Sequence, residues 1–230
     1  MSSFERYLAG LIASWEALAV PHPDARVERG DGFIAARFPD PVLNNAVILA
    51  AAAVPTAEAA YDGTPHYALW TRDGDTTTED ALTGRGYRPS ETTRPMLCRI
   101  EDIEDTEDIE DSLGPAVLID ADPVRVAELN GAAPRLVLGV PGLRAYSTKD
   151  YRAGLVTIAV GVDVNVSFVA TAPDARRQGL ATAVVRAALT DSRSRGFQAA
   201  GLQSTPMAEG LYLRLGFRSV GRWQEWTRPQ

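Results

Sequence analysis

The chain has 230 residues, 45% of them hydrophobic and 23% charged, which is typical of a globular protein with one large or two small domains. The formal net charge of −7 disfavours nucleic acid and anionic membrane surfaces as partners. One cysteine and two histidines exclude a disulfide framework and disfavour a metal centre, so we expect no metal.

The N-terminal residues lack a basic region followed by an apolar run, and no apolar stretch reaches the roughly 18 residues of a membrane span. We therefore expect a cytoplasmic protein. Lys149 is the only lysine among 23 basic residues, which is typical of a GC-rich genome and favours a bacterial source.

Residues 1–100 are predicted to form one compact unit. Apolar residues recur at helical spacing from residue 4 to residue 18, and Pro21 and Pro23 then end this helix. Further helices are predicted in the stretch that precedes residue 66 and at 77–83. Strands are predicted at 32–38, 45–50, 66–70 and 94–100.

A dense acidic run follows at residues 101–111. Its self-repulsion disfavours burial, so we interpret residues 101–114 as a solvated linker between two units. The alternative is an acidic docking segment for a basic partner.

Residues 115–230 are predicted to form a second unit of strands and helices. Asp122 and Pro123 are typical of a helix start and Gly131 of its end, and further helices are predicted at 179–195 and, capped by Thr205, at 206–215. Strands are predicted at 136–140, 143–147, 155–162, 164–171, 199–203 and 217–226, with a hairpin reversal at 161–163. This order predicts an α/β or α+β fold.

The most informative pattern spans residues 164–181. A strand enters a turn that contains Arg176 and Arg177, and a helix opens directly after Gly179. The first turn of a helix presents unpaired backbone N–H groups, glycine permits close approach, and arginine adds charge-assisted hydrogen bonds. The pattern therefore suits a bound diphosphate, although an ordinary strand–loop–helix junction would read the same way.

About thirty residues later the sequence reads Gly210-Leu211-Tyr212-Leu213-Arg214-Leu215-Gly216-Phe217. Together with Arg176-x-x-Gly179-x-Ala181, it resembles the coenzyme-A loop and the tyrosine-bearing helix of the GNAT family of N-acetyltransferases. The resemblance implies a mixed, mostly antiparallel twisted sheet flanked by helices. The order of elements in residues 1–100 resembles a smaller, degenerate GNAT-like unit that lacks the loop.

The resemblance also implies which residues bind acetyl-CoA. The backbone at the end of the strand pairs with the pantetheine arm, where this strand splays from its neighbour; these residues are Val169, Ala170 and Thr171. The loop and the helix start hold the pyrophosphate through Arg176, Arg177, Gln178, Gly179, Leu180, Ala181 and Thr182. Thr205 stands near a position where many family members carry asparagine.

Tyr212 is implied as the general acid, because a phenol stays protonated at neutral pH and can protonate a leaving thiolate. It is also readable as a core tyrosine packed against the preceding helix. No general base is evident. Asp163 and Glu209 are the nearest acidic candidates, and a water chain or a carboxylate from residues 1–100 would serve equally well.

The sequence therefore predicts an enzyme that transfers an acetyl group from acetyl-CoA to a primary amine of a small molecule or a peptide. The alternative is a non-catalytic acyl-CoA-binding sensor or regulatory module, which needs no base. We expect neither nucleic acid nor membrane as a partner, and a homodimer is left open.

Overall fold

The computed structural model describes residues 1–103 and 116–229. The predicted acidic linker, 101–114, lies mostly outside the described residues, and its start belongs to a short 3-10 turn at Ile100–Asp102. The helices are α1 (Ser3–Ala19), α2 (Val54–Ala59), α3 (Thr76–Gly84), α4 (Pro123–Asn130), α5 (Leu180–Ser194) and α6 (Glu209–Arg214). The strands are β1 (Arg26–Gly30), β2 (Phe33–Arg37), β3 (Asn45–Ile48), β4 (Ala68–Arg72), β5 (Arg88–Arg99), β6 (Val117–Ile119), β7 (Leu143–Thr148), β8 (Ala153–Val160), β9 (Asp163–Thr171), β10 (Ala199–Ser204), β11 (Arg218–Ser219) and β12 (Trp223–Thr227).

Strands from both ends of the chain form one twisted sheet. Their order is β1-β2-β3-β4-β12-β5-β10-β9-β8-β7-β6, and β11 pairs with β5 outside this path. Within the described residues the parallel pairs are β3 with β4 and β9 with β10, and the other neighbours are antiparallel. This mixed, mostly antiparallel sheet with helices packed against it confirms the predicted fold class.

Two strands cross the predicted boundary between the units. β12, from the C-terminal end, lies between β4 and β5, where Trp223 faces Arg72 on one side and Thr93 on the other. β5 is long enough to serve both halves, because its first part pairs with β12 and its last part, Arg94 to Arg99, pairs with β10. The two halves of the chain therefore share one sheet.

Helix α1 packs against strands of both halves. Its Trp15 meets Trp70 of β4 with ring centroids 5.8 Å apart, and the same hydrophobic core includes Ile158 of β8. Arg6 donates from Nε to Oδ2 of Asp163 at 2.7 Å, at the start of β9. The helix thus connects strands of the two halves through apolar packing and a charge-assisted hydrogen bond.

Three predicted elements were wrong in detail. The strand expected at 136–140 is replaced by a 3-10 turn, Pro134–Val137, because a proline in its first position fixes φ in the helical range. The last strand is two strands, β11 and β12. The final helix begins at Glu209 rather than 206. Thr205 is not the N-cap of this helix, because it belongs to a turn that precedes it. In that turn the Thr205 carbonyl accepts the N–H groups of Ala208 at 3.1 Å and of Glu209 at 3.2 Å.

The described part of the chain has neither a membrane-spanning helix nor a metal-binding cluster. None of its helices combines the length and the apolar character needed to cross a membrane. The same residues hold no group of three or more His, Cys, Asp or Glu side chains arranged to bind a metal ion.

Candidate active site

The parallel strands β9 and β10 separate towards their carboxyl ends. Among the described residues their pairing is limited to Val164 with Ala200 and Asn165 with Gly201. β9 then continues to Thr171 and β10 to Ser204 without pairing to each other. The two strands therefore leave a wedge-shaped gap in the middle of the sheet, with unpaired backbone groups on its sides.

A β-bulge in β9 decides which backbone groups face this gap. Phe168 has a φ of +54°, and the pairing with β8 shifts register between Gly154 and Val156. Beyond the bulge, Ala172 donates its N–H to the carbonyl of Arg152 at 2.8 Å. Because hydrogen bonding alternates along an antiparallel pair, the N–H of Thr171 points away from β8 and towards the gap.

The neighbouring Val169 also has a backbone group turned away from β8. Its carbonyl accepts a hydrogen bond from Nδ2 of Asn130, the last residue of α4, at 3.4 Å. By the same alternation, the backbone of Ala170 faces β8, where its Cα partner is Gly154. Of the three predicted strand-end residues, Val169 and Thr171 therefore present backbone groups to the gap.

The loop after β9 ends in an open helix start. Gly179 is the N-cap of α5 with a φ of +77°, and no side chain caps the helix. The first N–H groups of the helix consequently have no intrahelical acceptor. A Cβ atom added at Gly179 would meet no heavy atom within 4 Å, so the space beside this N-cap is free.

Other residues brace this loop and leave its arginines available. Arg152 forms an ion pair with Asp174 at 2.7 Å, and Nε2 of Gln178 donates to the carbonyl of Asp174 at 3.2 Å. Arg176 and Arg177 are exposed and have no ion-pair partner within the described residues. The loop therefore offers two free cations beside a row of backbone donors, the arrangement that binds phosphate groups.

Tyr212 lies in the apolar layer under α5. It is 5% exposed and packs with Leu202 of β10, Val184 of α5 and Phe217, whose ring centroid is 5.7 Å away in an edge-on arrangement. Its hydroxyl has no hydrogen-bond partner within the described part of the chain. Burial raises the pKa of Tyr212 to about 12, so the phenol stays protonated at neutral pH.

The acidic candidates for a general base are engaged elsewhere. Asp163 is paired with Arg6, and Glu209 with Arg94 at 3.5 Å. Thr205 is exposed and directly follows β10 at the open end of the gap. The structure thus places the loop and the strand end beside the gap and Tyr212 in the apolar layer under α5, and it leaves the base unassigned.

Polar residues that the sequence interpretation missed lie on the opposite face of the split strands, towards α1. Gly201 lies on this face, because a Cβ there would be 3.8 Å from the Tyr7 ring. Alternation along β10 and the pairing with β9 place Gln203, Asn165 and Ser167 on the same face, where Ser167 Oγ donates to Asn165 Oδ1 at 2.6 Å. We call Asn165, Ser167 and Gln203 the polar strip. Polar residues alternating with valine in 164–167 were the signal that could have revealed it.

Comparisons with known proteins agree with this geometry. Residues 143–226 match the model of an acetyltransferase (GNAT) domain. Among solved structures, a GCN5-related N-acetyltransferase from Kribbella flavida has a TM-score of 0.70 and 17% identity, covering 97% of this chain and 96% of that chain. A GCN5-related N-acetyltransferase from Sphaerobacter thermophilus has a TM-score of 0.59 and 13% identity, covering 98% and 92%.

A tandem GNAT protein from the clavulanic acid biosynthesis pathway has a TM-score of 0.55 and 12% identity, and covers 97% of this chain and 95% of that chain. No curated protein matches the sequence. At these identities the structural likeness shows the fold. The domain match at residues 143–226 confirms, for that part of the chain, the GNAT resemblance that the two motifs indicated.

Proposed function

We propose, on the premise that residues 143–226 are a GNAT acetyltransferase domain, that this protein transfers the acetyl group of acetyl-CoA to a primary amine of a small molecule or a peptide. The observation that carries the proposal is the junction of the gap between β9 and β10 with the uncapped start of α5. Coenzyme A joins a diphosphate directly to an extended pantetheine arm with two amides, so it needs both features side by side.

The residues of this junction divide the binding between them. The free N–H groups of Gly179, Leu180, Ala181 and Thr182 and the cations of Arg176 and Arg177 would hold the pyrophosphate. The loop is braced by Gln178, and the backbone of Val169 and Thr171 would pair with the pantetheine arm. We keep Ala170 and Thr205 as neighbours of that arm, since they flank the gap on β9 and at the end of β10.

The chemistry requires a proton donor that stays neutral until it is needed. In the reaction the amine nitrogen bonds to the thioester carbon, the carbon–sulfur bond breaks, and the sulfur leaves as a thiolate. The acceptor ammonium would lose one proton to water before the attack, and after it the nitrogen would give up a second proton that restores the Tyr212 phenolate. Tyr212 itself would give its phenolic proton to the leaving thiolate. The raised pKa of Tyr212, about 12, keeps this proton in place before the step.

The experiment is calorimetric titration with acetyl-CoA of the wild-type protein and the Gly179→Glu variant. The new carboxylate would fill the open helix start with bulk and negative charge, so we expect affinity to fall by about 100-fold, the equivalent of about 2.7 kcal/mol. Gly196→Glu is a matched control, because Gly196 has a φ of +81° and open space beside it at the other end of the same helix. Equal affinity in Gly179→Glu and wild type would refute the loop assignment.

A second candidate function keeps the same coenzyme site without turnover. It is favoured by the ion pairs of Asp163 and Glu209, which leave both candidate bases occupied. As an acyl-CoA sensor the protein would bind acetyl-CoA yet release no free coenzyme A thiol with any amine. Following thiol release across a panel of amines separates the two functions.

For the N-terminal half we propose an architectural role as a degenerate copy of the catalytic unit. The order β1, β2, β3, α2, β4, α3, β5, with β3 parallel to β4, repeats that of β7, β8, β9, α5, β10, α6, β11. Here a 3-10 turn, Ala51–Ala53, runs directly into α2, the N–H of Val54 donates to the carbonyl of Ala51, and Pro55 has no N–H to offer. The start of α2 therefore offers fewer free donors than the start of α5, which argues against a second coenzyme site in this half.

A further inference from the structure

We propose that Gln203 binds and orients the acceptor amine, and that Tyr7 and Thr93, from the N-terminal half, hold its carboxamide in position. This inference rests on the proposed acetyl transfer and names its acceptor side. It gives the N-terminal half a direct part in the reaction site beyond packing.

The carboxamide of Gln203 is fixed at both ends. Its Oε1 accepts a hydrogen bond from the hydroxyl of Tyr7 at 3.1 Å, and its Nε2 donates to Oγ1 of Thr93 at 2.6 Å. Tyr7 is 1% exposed in α1, and Thr93 lies in β5. A long, flexible side chain is thus locked in one orientation by anchors from two other elements, which is how a binding group is pre-organised.

The position of Gln203 suits contact with a substrate. It is the second-last residue of β10, past the last pair that joins this strand to β9, so it stands beside the gap. Its side chain is half-buried and lies on the α1 face, whereas the predicted coenzyme loop and Tyr212 lie on the α5 face. An acceptor that approaches from the α1 face would reach Gln203 before the thioester carbon.

Gln203 retains hydrogen-bonding capacity after its two anchors are satisfied. A carboxamide offers two lone pairs and two N–H groups, so one of each stays free. The free lone pair can accept an N–H of the attacking amine, and the free N–H can donate to a carbonyl or hydroxyl next to it. The polar strip, Asn165, Ser167 and Gln203, carries no formal charge, so it selects acceptors through hydrogen bonds near the amine rather than through an ion pair.

The test compares Gln203→Leu with Gln198→Leu in steady-state acetyl transfer to a panel of aliphatic, aromatic and peptide N-terminal amines. Gln198 is a matched control, because it directly precedes β10 and its Oε1 also accepts a hydrogen bond from α1, from Arg6 at 3.4 Å. We expect Gln203→Leu to raise the KM for the amine about tenfold while the KM for acetyl-CoA is unchanged. Gln198→Leu should change neither constant.

Gln203→Glu provides a conservative rescue and a check on folding. The carboxylate can still accept from Tyr7, and Thr93 can turn its hydroxyl to donate to the second oxygen. We expect this variant to bind cationic amines at least as well as the wild type. An amine KM that is unchanged in folded Gln203→Leu, or raised equally in both leucine variants, would overturn the inference. Acetyl-CoA binding without transfer to any amine by the wild type would instead defeat the proposed function, and this inference with it.

Discussion

At the scale of single residues, Tyr212 combines two properties that a general acid needs. It is enclosed by apolar side chains, which raises its pKa to about 12, and its hydroxyl is not committed to any hydrogen bond within the described residues. The unperturbed pKa of tyrosine is about 10, so this residue stays neutral throughout the physiological range. Because burial disfavours the ionised phenol, the contribution of Tyr212 to the free energy of unfolding is complete below about pH 10. That contribution is lost as the pH rises through about 12.

We therefore expect Tyr212→Phe to lower kcat about 100-fold, the low end of the usual range for loss of a general acid, while the affinity for acetyl-CoA changes less than about twofold. Phenylalanine preserves the packing against Phe217 and removes only the hydroxyl. Single-turnover kinetics with calorimetry would measure the two quantities separately. An unchanged kcat would show that Tyr212 is a core residue without a role in proton transfer.

The motif residues could be predicted from the sequence, whereas the backbone conformation around them could be predicted only in part. Glycine and arginine at 176–179 predict an anion-binding turn, because backbone freedom and charge belong to the residue types themselves. The positive φ of Phe168 was not predictable, since a bulky residue adopts it only when the surrounding sheet imposes it. Gln203 was also missed, because its partners Tyr7 and Thr93 are far away in sequence.

At the scale of elements, β12 determines whether the two halves form one sheet. Trp223 is 1% exposed and Trp226 is 5% exposed, each in a different hydrophobic core, on opposite faces of the strand. Truncating a buried tryptophan typically costs about 3–5 kcal/mol, so losing both would cost about 6–10 kcal/mol. That loss is comparable to the whole net stability of a typical protein, about 5–15 kcal/mol.

A chain that ends after Arg222 should therefore fail to fold. We expect no cooperative thermal transition and loss of native near-ultraviolet circular dichroism. A chain that ends after Arg228 is the matched control, because it keeps β12 and the hydrogen bond from Arg228 to the carbonyl of Arg85 at 3.2 Å. If the shorter chain unfolded cooperatively near the wild-type temperature, β12 would not be the structural link described above.

The element boundaries show where the local sequence was sufficient to predict a helix or a strand. Helix α1 and the hairpin of β8 and β9 follow their apolar patterns, and Gly161, with a φ of +66°, permits the tight reversal. β1, Arg26–Gly30, was not predicted, because as a charged edge strand it has little apolar alternation. The placement of β12 between β4 and β5 was likewise hidden, since partners that distant leave no pattern in a single sequence.

At the scale of the whole molecule, the chain is organised around one gap and the structures that flank it. The α5 face of the gap carries the open helix start and Tyr212, and the α1 face carries the polar strip. β5 and α1 bring the N-terminal half to the second face, through Thr93 and Tyr7. We propose that the boundary near residues 101–114 separates two copies of one topology and does not separate two independently folding domains.

The most direct test of this account is a crystal structure of the protein grown with coenzyme A. We predict the pyrophosphate about 3 Å from the N–H groups of residues 179–182 and the pantetheine arm between β9 and β10, hydrogen-bonded to the N–H of Thr171. Coenzyme bound at any other place, with the start of α5 left empty, would contradict the central claim.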